Sequence, residues 1–159
     1  MNAAKMLNRK KLTMILSWIM LFLWMFLIFN LSAQVADESR GLSNGVVDYI
    51  IKTVENVNPE IELNVENLSH IIRKCAHFTV YLILGSFATN ALKKSEITGR
   101  RVFVSALLFC VLYAMSDEFH QLFVLGRSGE VKDVVIDSVG SVVGIWIYLK
   151  LGRIIDVSR

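Results

Sequence analysis

Three observations predict an all-α fold of the polytopic membrane type with four transmembrane helices. The 159-residue chain is 54% hydrophobic and only 19% charged, with a mean hydropathy of +0.51, whereas a soluble domain is about half apolar and about a quarter charged. Residues 12–31 carry no charge at all. The Lys and Arg residues gather in alternate segments between apolar runs, as they do in multi-pass proteins. With one proline and no stretch of linker composition, residues 1–159 read as a single membrane domain. The net charge of +3 is too small to argue for a nucleic-acid partner. Cys75 and Cys110 both fall in apolar stretches, which writes neither a disulfide framework nor a C-x-x-C metal motif.

The first span is 12–31, close to the ~20 residues that cross a ~30 Å hydrocarbon core. A signal peptide would share its basic start but would have a shorter apolar region and a small-x-small cleavage site, which Gln34-Val35-Ala36 does not supply. An outer loop, 32–69, follows and is too long for a simple connector. From Ser43, read as an N-cap, apolar residues recur at Val46, Val47, Ile50, Ile51, Val54 and Val57 until Asn58-Pro59, the pattern of an amphipathic helix. Such a helix can lie on the membrane, cover the bundle or pack on the second half of its own loop. Residues 60–65 alternate like a short strand. The spacing of Leu68, Ile71, Ile72 and Cys75 starts the second helix a couple of turns before its bilayer segment.

The remaining spans are 75–92, 102–119 and 134–149. They contain His77, Asp117, Glu118 and Asp137, and a charge at mid-bilayer costs ~2.5 to 3.5 kcal/mol on the insertion scale. Loop charges decide in their favour. Segments 1–11, 93–101 and 150–159 hold eleven Lys and Arg (Lys5, Arg9, Lys10, Lys11, Lys93, Lys94, Arg100, Arg101, Lys150, Arg153, Arg159) against Glu96 and Asp156. The rest of the chain holds six bases and twelve acids. The positive-inside rule then places both termini in the cytoplasm.

A rise of 1.5 Å per residue converts sequence into depth. Measured from the basic end of each span, His77 and Asp117 lie about 24 Å up, His120 and Asn30 about 28 Å, Asp137 about 20 Å and Asp133 about 25 Å. Every helix therefore contributes to one polar layer in the outer third of the membrane. Arg73, His77 and Tyr81 share a helix face, as do Asp117, His120 and Gln121, and Asp133 and Asp137. Because lipid-facing charge is costly, these faces point inward, and Arg73, Lys74 or Arg127 is expected to pair with Asp117, Glu118, Asp133 or Asp137. Beneath the layer, Gly140 and Gly144 with Ser141 form a small-x-x-x-small surface for close helix packing. Trp18, Trp24 and Trp146 read as packing or lipid-contact residues.

Lys74-Cys75-Ala76-His77-Phe78 with Tyr81, Ser116-Asp117-Glu118-Phe119-His120-Gln121, Gly126-Arg127, and Asp133 and Asp137 with Gly140 together resemble the VanZ-like family of bacterial membrane proteins. The resemblance extends from the first helix to the end of the fourth. Ser32-Ala33-Gln34 is similar to the Ser-Ser-Gln that commonly closes the family's first helix. Ala33 departs from the second serine, and Leu125 stands where a proline often precedes Gly-Arg. The resemblance implies a multi-pass protein of the bacterial plasma membrane and an association with low-level resistance to the glycopeptide teicoplanin.

Four functions fit these residues unequally. In the first, an outward-facing pocket of Arg73, Lys74, His77, Asp117, Glu118, His120, Gln121, Arg127, Asp133 and Asp137 binds a lipid, a lipid-linked cell-wall precursor or a glycopeptide. In the second, the protein is an intramembrane hydrolase or transferase, with His77, Asp117, Glu118 and His120 as catalytic candidates. No cofactor motif is present, but His77, Glu118, His120 and Asp137 could ligate a divalent metal. The sequence has no zincin, P-loop or nucleophile-elbow motif. In the third, the layer only staples the helices together, although interhelical polar contacts average well under ~1 kcal/mol. The fourth, ion transport, is disfavoured because the inner half of the spans carries no ionisable relay.

Overall fold

The computed structural model describes residues 2–34, 36–57, 64–127 and 129–157. They form five helices: α1 (Asn2–Ser32), α2 (Ala36–Val57), α3 (Val65–Lys94), α4 (Arg100–Gln121) and α5 (Val131–Val157). No strand occurs among the described residues. Met6–Ser32, Val65–Lys94, Arg100–Gln121 and Val131–Gly152 are each long and apolar enough to cross a membrane, so the four expected spans are present as helices that overrun their apolar segments.

Two expectations about the first loop are corrected. Ser43 is not an N-cap but lies inside α2, which begins at Ala36. The first turns of α2 carry no apolar stripe, so hydrophobic periodicity could not register them. Of the strand expected over 60–65, residues 60–63 lie outside the described residues. Asn64 and Val65 instead open α3, with the Asn64 side chain accepting the Asn67 N–H at 3.1 Å, a helix N-cap that satisfies a donor with no partner inside the helix.

Cross-helix hydrogen bonds give the directions. The Ser141 hydroxyl donates to Tyr81 O at 3.4 Å, the Ser86 hydroxyl to Gly144 O at 3.1 Å, and the Tyr148 hydroxyl to Asn90 Oδ1 at 2.7 Å. Residue numbers rise together on α3 and α5, so these helices run parallel. On α1 they fall: Trp24 Nε1 donates to Val80 O at 2.9 Å, Asn90 Nδ2 to Ser17 Oγ at 3.1 Å and Trp18 Nε1 to Ser95 Oγ at 3.0 Å. The Tyr113 hydroxyl donates to Met25 O at 2.6 Å, bringing the middle of α4 beside α1. The four long helices alternate in direction, and residues 95–99 lie at the end of the bundle occupied by Trp18. Trp18 and Trp24 thus tie helices together, while Trp146 is exposed under the Lys150 ammonium, 4.6 Å from its ring centroid.

Lipid is as apolar as leucine, so burial does not drive these helices together; close packing and polar contacts must. The inward stripe of α4 is accordingly small, with Val102, Ala106, Cys110 and Ala114 buried at intervals of four. Large side chains such as Phe22, Phe26, Leu108, Leu112 and Val139 face outward. The tightest seam joins α3 and α5, where glycines let backbone meet backbone. A Cβ on Gly85 would come within 2.5 Å of the Ser141 carbonyl oxygen, and one on Gly140 or Gly144 would collide with the Phe78 or Leu82 carbonyl oxygen. The glycine pair therefore serves helix packing. α2 packs against α3, with Val47 fully buried.

This seam makes a testable distinction between glycines. Gly144→Leu should abolish the folded monodisperse peak in detergent, and Gly144→Ala should cost about 1–3 kcal/mol through overpacking. Among the described residues nothing lies within 4 Å of a Cβ on Gly45, so Gly45→Ala should leave the melting temperature equal or higher, helix propensity contributing about 0.5–1 kcal/mol. Thermal unfolding of the purified variants measures both.

Candidate functional site

The end of the bundle away from residues 95–99 holds a cavity of about 250 Å³. Ile28, Leu31, Val46, Ile72, Ala76 and Val80 form its apolar walls, and Ser32, Gln34, Arg73, His77, Asp117 and Arg127 its polar lining. Arg73 and His77 arrive together because residues four apart on α3 share one face. Val46 brings α2 into the wall. Arg127 reaches the cavity from the loop between α4 and α5, where Gly126 takes φ of +76°, a conformation open to glycine, and the Arg127 N–H closes a turn on Val124 O at 3.1 Å. Burial, and then the neighbouring Arg73 guanidinium, push Arg127 below its usual value; two like charges share this region.

His77 also faces a second group. Its Nδ1 lies 3.5 Å from Asp137 Oδ1, and one ligand-type atom from each of His77, Glu118 and Asp137 falls within 4.8 Å of the others. Asp137 is fully buried and Glu118 is 6% exposed. Among the described residues, neither carboxylate oxygen of Asp137 has a hydrogen-bond partner, nor does Glu118 Oε1. Glu118 Oε2 accepts the Glu130 N–H at 2.8 Å, which fixes that carboxylate from the α4–α5 loop.

The other expected residues are distributed as follows. Lys74 pairs with Asp133 at 2.5 Å and approaches Glu130 at 3.9 Å, one of the ion pairs foreseen. Asp117 is buried at the cavity wall, 3.5 Å from the buried Gln121 amide. His120 belongs neither to the cavity lining nor to the cluster of His77, Glu118 and Asp137. Its ring stacks on Phe29, centroids 4.3 Å apart, since it leaves α4 toward α1. Asn30 is exposed and donates to Phe26 O of its own helix at 2.6 Å, so its amide is satisfied locally, and Ser32 at the end of α1 and Gln34 just beyond it line the cavity instead.

Several contributors escaped sequence reasoning. The Glu130 backbone amide carries no side-chain signal. Gly129 does leave a trace, as the second glycine flanking Arg127, and a Cβ there would stand 2.8 Å from Glu118 O, so the loop can lie directly on α4. Val46 was visible as part of an amphipathic stripe but not as a cavity wall.

Chemically, the arrangement offers two guanidiniums, the His77 imidazole and the Asp117 carboxylate beside apolar walls, and the same imidazole between the carboxylates of Glu118 and Asp137. No curated protein and no solved structure matches the chain. A sequence model of the VanZ/LLP1 family matches residues 17–155, a stretch that takes in most of the first span, all of the other three, and every residue of the cavity and the cluster. This multi-pass membrane protein belongs to the VanZ/LLP1 family.

Proposed function

We propose that the protein resides in the bacterial plasma membrane with both termini in the cytoplasm, and that its cavity faces outward and binds the anionic headgroup of an envelope lipid or lipid-linked cell-wall precursor. The carrying observation is the make-up of the cavity: Arg73 and Arg127, with His77 and a single acid, Asp117, stand at a space whose apolar walls include Ile28, Leu31, Ile72 and Val80. That combination matches an amphiphile whose head is anionic and whose tail is hydrocarbon. Guanidinium is the side chain best shaped to fork a phosphate, and an anion relieves the repulsion between two neighbouring cations. The Lys74–Asp133 pair leaves Lys74 a rim role. A link to teicoplanin resistance would run through the same outer-leaflet wall component.

A second reading, an intramembrane hydrolase or transferase acting on that lipid, has one observation in its favour. The cluster of His77, Glu118 and Asp137 sits beside the cavity and carries groups suited to acid–base chemistry.

Dodecyl phosphate is a suitable probe because it carries the proposed chemistry on a short tail. Calorimetric titration of the detergent-purified protein should show saturable binding of dodecyl phosphate and none of dodecyltrimethylammonium. Arg127→Ala or Arg73→Gln should each weaken binding about tenfold, the loss of one charge-assisted pair. Unchanged affinity in the folded double variant would dismiss the cavity as an anion site.

Orientation has its own test. In a Cys75→Ser background, Gly45→Cys on α2 should react with a membrane-impermeant maleimide on intact cells, and Thr98→Cys between α3 and α4 only after lysis. The reverse pattern would invert the topology.

A further inference from the structure

From the His77, Glu118 and Asp137 cluster we infer a binding site for one divalent transition cation of the Zn²⁺ or Mn²⁺ class. The site adjoins the lipid cavity but does not depend on what that cavity binds. Three features of the cluster carry the inference together.

The first is the donor set. One imidazole nitrogen and two carboxylates, each able to present an atom within 4.8 Å of the others, form the mixed N/O environment that zinc and manganese accept. Donors in a zinc site stand about 3.3 to 3.5 Å apart, given bonds of about 2.0 to 2.2 Å; His77 Nδ1 and Asp137 Oδ1 are already at 3.5 Å. The Glu118 atom lies within 4.8 Å of both, so loading the site draws the three donors together. Three protein ligands also leave coordination positions open.

The second is that, among the described residues, the cluster has no partner beyond the 3.5 Å His77–Asp137 contact and the Glu130 N–H on Glu118 Oε2. Asp137 is 0% exposed and both of its oxygens, with Glu118 Oε1 and His77 Nδ1, lack hydrogen bonds among the described residues. Buried polar atoms in native proteins are almost always satisfied, and a low-dielectric surrounding makes the omission expensive. The nearby Lys74 ammonium is held by Asp133.

The third is charge balance. Glu118 and Asp137 ionised carry two negative charges and His77 as a neutral ligand carries none, so one dication makes the site neutral. In a membrane interior a neutral cluster avoids the cost of a lone charge. The support around the ligands is also of the metal-site kind: the Glu130 N–H fixes Glu118 Oε2, and the α3–α5 glycine seam fixes the separation of His77 and Asp137.

The test uses full-length protein, stripped with a chelator, loaded with Zn²⁺ and freed of excess by gel filtration. Mass-spectrometric metal analysis should find one equivalent per chain. Asp137→Asn and Glu118→Gln should each weaken Zn²⁺ binding by at least about tenfold, whereas His120→Gln and His70→Gln should retain it. Co²⁺ loaded into the wild-type protein should give visible d–d absorption that Zn²⁺ removes, a readout that needs no variant to fold. Sub-stoichiometric zinc on cooperatively melting wild-type protein, or full zinc retention by Asp137→Asn, would overturn the site and assign the unpartnered oxygens to protonated acids. Because this readout contains no lipid, its failure is separable from failure of dodecyl phosphate to bind.

Discussion

The contact on which the rest depends is the meeting of α3 and α5 backbone to backbone. Gly85 on one helix, and Gly140 and Gly144 on the other, remove the atoms that would hold the axes apart. In a bilayer no hydrophobic force compensates for a looser fit, so the seam cannot be replaced by a layer of larger side chains at the same energy. Its closeness sets the positions of everything above it. His77 stands one residue before Phe78, whose carbonyl Gly140 touches, and Asp137 one turn before Gly140 on the facing helix. Separating the helices by the width of a side chain would take imidazole and carboxylate out of each other's reach.

The polar end of the bundle divides into two chemically different halves that share His77. On one side are guanidiniums and apolar walls; on the other, carboxylates with unpartnered oxygens. Asp117 and Glu118 are split between them although adjacent in sequence, because neighbours on an α-helix diverge by about 100°. One acid therefore lines the cavity while the next joins the cluster. The α4–α5 loop attends to both halves, sending Arg127 into the cavity and the Glu130 N–H to Glu118.

Much of this was legible before any coordinates. Helix rise alone put His77, Asp117 and Asp137 at one depth, and the glycine spacing on α5 named its packing face. What failed did so for local reasons. Asn30 lies at the right depth, but its amide reaches the carbonyl one turn back, an option that depth arithmetic ignores. His120 shares a face with Asp117, yet it turns to the aromatic ring of Phe29, a partner on a helix whose rotation the sequence does not specify. The start of α2 was missed because its first turns carry no apolar stripe. The role of Glu130 belongs to its backbone, which no residue identity announces.

The pairing of α3 with α5 also has a bearing on how the chain is made. These two helices are partners in space but are separated by α4 in the chain, so α5 leaves the ribosome after both α3 and α4. Until it enters the bilayer, His77 and Glu118 have no Asp137 beside them, Lys74 has no Asp133, and the glycine face of α3 lies open to lipid or to the insertion machinery. The cluster is therefore completed only when α5 joins α3, and a nascent chain that ends before α5 carries His77 and Glu118 without the carboxylate that makes them a site.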